Sequence, residues 1–159
     1  MTPSPPDKIE FWMRTALEEA RLGAARDEVP VGAVVVDAEG RLLSSAHDER
    51  NTTADPTAHA EILALRRAAS VLGDWRLENC DMHVTLEPCP MCAGALILAR
   101  IRRVYYGATS PKSGAVESLA RVLDLNCFNH KVEAQGGVLV EECGALLSDY
   151  FRAKRKNPG

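Results

Sequence analysis

Two short segments, His59-Ala60-Glu61 and Pro88-Cys89-Pro90-Met91-Cys92, constrain this chain more than any other feature. A histidine and a Cys-x-x-Cys pair supply three ligands suited to zinc and leave a fourth tetrahedral position open to water or substrate. Glu61 stands next to that position, and a carboxylate within reach of an activated water can take its proton and hand it on. Whatever fold the chain adopts must bring these segments together at a reachable place.

Residues two apart in a helix interior point about 200° away from each other. His59 and Glu61 can therefore serve one metal only from a first helical turn, where the helix dipole also favours negative charge. The sequence supports this: Ala58 to Leu72 reads as a helix with Ile62, Leu65, Ala69 and Leu72 on one face. Asp55 or Thr57 could cap its start, and Gly73 is placed to end it. A second helix should open at Cys89 and run to about Arg100, with its two sulfurs three residues apart and so on one face.

The remaining elements frame these two. Thr2 to Pro6 is proline-rich and is expected to be a disordered segment over 1–6, ahead of a single domain over 7–156 and a tail over 157–159. Asp7 and Glu10 suggest the start of a helix that reaches about Arg26, with Ile9, Trp12 or Met13, Ala16, Leu17, Ala20 and Ala24 at helical spacing. Val31 to Val36 suits a strand buried on both faces, and Arg41 to Ala46 its antiparallel partner, before a polar loop from His47 to Thr57. Asp81 to Leu86 and Arg102 to Gly107 read as strands, Thr109 to Gly114 as a loop and Val116 to Leu123 as a short helix. One or two strands fall within Lys131 to Val140, and a last helix within Glu141 to Lys156. This alternation predicts an α/β fold with three α/β/α layers, a mixed central sheet of about five strands and helices on both faces.

Composition narrows the class. At 159 residues the chain suits one domain that buries about two thirds of its unfolded surface. Its apolar runs are far shorter than the roughly 20 residues that span a bilayer, so no membrane association is expected. Five cysteines without a leader segment suit a reducing cytoplasm, where Cys-x-x-Cys binds metal or does chemistry. A net charge of -3 argues against indiscriminate nucleic-acid binding but leaves room for a local basic patch. A purely structural zinc site would need a fourth ligand from His47, His83, His130, Cys80, Cys127 or Cys143, none of which stands at ligand-like spacing.

The paired segments match the zinc-dependent nucleobase deaminase signature, H-x-E followed by P-C-x-x-C. Asp55 to Glu61, Thr85 to Ala95, Phe128-Asn129-His130 and Glu141 to Arg152 further resemble the bacterial tRNA-specific adenosine deaminases. The resemblance implies a cytidine-deaminase-like fold, a homodimer, and conversion of adenosine to inosine at the wobble position of a tRNA anticodon. It implies one zinc per chain on His59, Cys89 and Cys92, with Glu61 carrying protons to and from the base. It places Asp48, Ala60, Leu86, Ser110, Lys112, Tyr150 and Phe151 against the substrate. Tyr150 and Phe151 could equally pack the last helix onto the core. Arg152, Lys154, Arg155 and Lys156 could meet anticodon-stem phosphates or simply complement the helix dipole. Arg100, Arg102 and Arg103 flank a strand and are further cationic candidates on the side where the site opens.

Two positions depart from the family. Asp48 stands where an asparagine usually meets the base, and Ser110 where many members carry an aspartate that contacts the ribose. An ionised aspartate only accepts hydrogen bonds, which would suit the N–H groups of guanine. A deaminase of a free nucleobase is therefore the alternative, and a non-catalytic zinc-stabilised RNA-binding module a second one, against which Glu61 counts.

Overall fold

The structure, a computed structural model, describes residues 5–126 and 129–156. Its centre is the valine-rich strand β1, Gly32–Val36, all of whose residues are buried. β1 pairs antiparallel with β2, Leu42–His47, on one side and with β3, Asp81–Leu86, on the other. Beyond β3, strands β4, Arg103–Ala108, and β5, Glu133–Gln135, add in parallel, giving a mixed five-stranded sheet in the order β2-β1-β3-β4-β5 among the described residues.

Strand alternation sorts the core into two layers. Ala33, Val35, Met82, Val84, Val104 and Tyr106 face α3, Ala60–Leu72, and α4, Pro90–Leu98. Val34, Val36 and Tyr105 face α1, Pro6–Ala25, and α5, Val140–Lys156, and Ala108 joins this layer at the end of its strand, out of the alternation. The expected three-layer α/β/α fold is therefore present. Helix α1 lies directly on β1: a Cβ added at Gly32 would sit 1.9 Å from the Ala16 carbonyl oxygen and 2.7 Å from the Ala20 nitrogen.

Several boundaries differ from expectation, each for a physical reason. Helix α1 starts at Pro6, with no side-chain cap, because proline fits a first helical position where its missing N–H costs nothing. His47 ends β2 rather than opening the loop, since it pairs with Gly32 and its ring meets Glu19 Oε2 at 2.8 Å. The loop that follows contains a short helix, α2, at Arg50–Thr53. His59 and Cys89 precede their helices as extended N-cap residues. The helix expected over 116–123 is absent: turns lead instead to a 3₁₀ segment at Val122–Asp124. Cys127 and Phe128 lie outside the described residues, as do the terminal segments 1–4 and 157–159. No helix among the described residues is long and apolar enough to cross a membrane.

Candidate metal centre and substrate cleft

Register brings the start of β1 and the ends of β2, β3 and β4 to one edge of the sheet. Gly32 pairs with His47, and Leu86 with Ala108, while the Gly32 N–H donates to the Thr85 hydroxyl at 3.2 Å. Three connections leave this edge, at 48–59, 87–89 and 109–118. In α/β sheets ligands bind outside the carboxyl ends of the parallel strands, and here that edge holds the ligand-bearing segments.

His59 caps α3, and Cys89 caps α4 with Pro90 at its first position and Cys92 within its first turn. Two helix N-termini thus converge, and their partial positive charge favours thiolates. His59 Nδ1 lies 3.6 Å from each of the Cys89 and Cys92 sulfurs. A tetrahedral zinc with ordinary Zn–N and Zn–S bond lengths separates such atoms by about 3.6 Å. The donor set therefore fits zinc in chemistry and spacing, and His59, Cys89 and Cys92 form the one group of this kind able to hold a metal ion among the described residues.

Electrostatics at the centre agree with that use. A hydrogen bond from Cys92, opposed by burial and helped by His59, holds the Cys89 thiol down at about 4, so it is a ready thiolate. Cys92, the donor, is pushed up by that bond and by burial. The bond to Cys89 also raises His59. Glu61, in the first turn of α3, is 4 % exposed, and burial pushes its carboxyl up to about 7. Such a group exchanges protons near neutral pH.

Asp48 is buried beside this centre. Its Oδ1 accepts the Ala60 N–H at 2.9 Å and its Oδ2 accepts from Arg50 at 3.0 Å. Burial raises its carboxyl against the pull of Arg50, the Ala60 N–H and His59. The loop that carries it is fixed by a buried carboxylate absent from the sequence-based candidates: Glu28 accepts the N–H groups of Asn51 and Thr52 at 3.1 and 2.6 Å and the Thr52 hydroxyl at 2.7 Å. Nothing in the sequence separates Glu28 from a surface acid, since its donors lie more than twenty residues away.

The other predicted contacts divide into groups. Ala60 and Leu86 lie at the buried edge, and Ser110 follows β4 with its hydroxyl 2.9 Å from that of Ser113. Lys112 and Phe151 line a common groove of about 910 Å³ with Ser148, Arg152, Lys154 and Arg155. Tyr150 does not line it; the ring packs edge-on against Phe151, and its hydroxyl is turned towards Asp27. Arg152 and Lys154 pair with Asp149 and Asp27, whereas Lys112, Arg155 and Lys156 have no ion-pair partner among the described residues. Arg102 and Arg103 do not flank the site as expected. Arg103 opens β4 and Arg102 precedes it at the opposite end of the sheet, paired with Glu133 and Asp81 respectively, because a parallel strand carries its start away from the edge its end reaches.

The chain matches the MafB19-like deaminase family over residues 8–155. It is 46% identical over 147 residues to the tRNA-specific adenosine deaminase of Bacillus subtilis (strain 168), covering 92% of this chain and 91% of that protein. A solved structure described as a study of A-to-I editing by tRNA:A34 deaminases at the wobble position of transfer RNA matches with a TM-score of 0.83 and 45% identity, covering 86% of this chain and 99% of that one. The guanine deaminase of Nitrosomonas europaea matches with a TM-score of 0.75 at 27% identity, over 94% of this chain and 86% of that one.

Proposed function

The chain belongs to the family of tRNA-specific adenosine deaminases, and on that premise we propose that it deaminates adenosine to inosine at the wobble position of a tRNA anticodon. The observation that carries this reading is the meeting of three zinc-type ligands with the buried Glu61 at two helix starts, in a chain 46% identical to such an enzyme.

His59, Cys89 and Cys92 would hold one zinc ion, which supplies Lewis-acid activation of water. Glu61 takes one proton from the attacking water and passes it to the purine ring nitrogen, then takes the second from the new C6 hydroxyl and passes it to the departing amine. The C6–N bond breaks, ammonia leaves and a C6 carbonyl remains. Burial suits Glu61 to both steps, because a carboxyl that titrates near 7 gives and takes protons at little cost. Lys112 and Arg155 contribute positive charge beside the groove, where Phe151 can stack on a base. We place this protein in the cytoplasm, in keeping with its similarity to bacterial tRNA-specific adenosine deaminases. A homodimer is the expected assembly, and Leu72, Trp75 and Leu98, exposed at the C-terminal ends of α3 and α4, offer apolar surface for a second copy.

Asp48 weakens the guanine reading. Each of its oxygens already accepts one bond, from the Ala60 N–H and from Arg50, so a substrate N–H would have to compete for the remaining lone pairs of a carboxylate held towards the protein. The test is a side-by-side assay of the zinc-loaded protein on a tRNA whose anticodon begins with adenosine and on free guanine. Inosine in the tRNA with guanine untouched is expected; ammonia from guanine alone reverses the assignment.

A further inference from the structure

The strand that leads to the metal ligands ends at Leu86, and the next residue, Glu87, is a carboxylate only 2 % exposed. A buried charge needs several partners, and Glu87 has five donors, all from the connection after β4. One oxygen accepts the Ser110 N–H at 3.0 Å and the Ser118 hydroxyl. The other accepts the N–H groups of Val116, Glu117 and Ser118 at 3.0, 2.8 and 2.9 Å. Two backbone bonds run alongside: Glu87 N–H to the Ala108 carbonyl and Ala115 N–H to the Pro88 carbonyl, both 2.8 Å.

The fit is close enough to dictate sequence elsewhere. A Cβ at Gly114 would lie 2.3 Å from the Glu87 Cδ and Oε1, so the chain passes the carboxylate only as glycine. Residues 110–118 contain no helix or strand of their own to hold them. With five donors already aimed at it, the carboxylate is not arranged to exchange protons with a substrate.

We propose that Glu87 is a positioning residue for the reaction: its carboxylate is the template on which the 109–118 connection folds into one wall of the substrate cleft. The assignment rests on the reading that Ser110 and Lys112 of this connection contact the substrate. Because Glu87 is joined to the Cys89 ligand through Pro88 alone, the wall and the metal centre share one rigid joint. Substrate grip, rather than the chemical step, depends on that joint.

The test compares the zinc-loaded full-length protein with Glu87→Gln and Glu87→Asp. A glutamine presents an NH₂ where one set of donors needs an acceptor, and aspartate keeps the charge but is one methylene short. Amide exchange without substrate should accelerate at least about tenfold at Ser110, Val116, Glu117 and Ser118 in Glu87→Gln, with zinc content unchanged. On the anticodon stem-loop, KM should rise roughly 10- to 100-fold while kcat changes less than about threefold, and Glu87→Asp should recover part of the loss. If Glu87→Gln does not fold, Gly114→Ala, which displaces the carboxylate without removing it, should give the same exchange pattern and KM rise.

Unchanged exchange at these four amides overturns the proposal. So does loss of kcat with zinc release at constant KM, which would make Glu87 a support of the metal centre alone. The exchange measurement needs no substrate, so a wild-type protein inactive on tRNA would defeat the functional reading and leave this result separately legible.

Discussion

Replacing Glu61 by glutamine should stabilise the metal-free protein, and by more at pH 8 than at pH 5. Glu61 is 4 % exposed, and burial moves its carboxyl from 4.5 to about 7. The folded state therefore binds this proton more tightly than the unfolded state. Its favourable contribution is complete below about pH 4.5 and is lost as pH rises through 7. Above that, folding must carry a buried anion; at about 1.4 kcal/mol per pH unit the penalty approaches about 3 kcal/mol. At pH 5 the same arithmetic leaves about 1 kcal/mol. Glutamine has nearly the same shape and does not titrate in this range, so any hydrogen bond it makes differently contributes equally at both pH values. Urea unfolding of chelator-treated wild type and Glu61→Gln, at pH 5 and pH 8, measures the difference directly. With m near 2 kcal/mol/M, the gap between the two midpoints should widen by roughly 1 M from pH 5 to pH 8 in favour of the variant. A gap independent of pH would refute the claim that burial perturbs this carboxyl.

Other outcomes follow from the same geometry. Glu61→Ala should retain zinc, measured by metal analysis, and lose turnover, whereas Cys92→Ala should lose the metal itself. Gly32→Ala forces a Cβ into the α1 backbone and should cost about 3 kcal/mol, seen calorimetrically as a fall in Tm of roughly 10 °C. Asp48→Asn can keep the Ala60 N–H bond while freeing an N–H donor for a purine nitrogen, so kcat/KM on tRNA should rise several-fold; a tenfold fall would mean the Arg50 ion pair shapes the site. Binding of tRNA should weaken steeply with salt, and Lys112→Ala should reduce that slope by about one.

What could be read from the sequence was carried by local signals. The Val34-Val35-Val36 run marks a central strand, and Gly73 at φ 70° ends α3 where its periodicity stops. The ligand set was legible because its chemistry is tied to fixed short spacings. The segment 116–123 was not, although its composition suits a helix. Its N–H groups at Val116, Glu117 and Ser118 are taken by a carboxylate about thirty residues earlier, and the Leu119 N–H turns back to the Gly114 carbonyl. No window of neighbouring residues reports such a partner. Asp48 behaves the same way: the family resemblance marks it as a mismatch against a base, while the fold gives its oxygens internal partners.

The strand order has a consequence for how the protein matures. His59 and the two cysteines all lie on the segment that ends with α4, before the parallel strands β4 and β5 are complete. A chain emerging from the ribosome can fold α1, the β1–β2 hairpin, α3, β3 and α4 before the 109–118 connection has been synthesised. If zinc binds as proposed, its capture would then be an early event, and binding to a partly made sheet would hold β1 and β3 together. The cleft would be finished later, once the donors to Glu87 and the β5 and α5 segments have been made. A nascent chain would thus carry its ion before it can recognise a substrate.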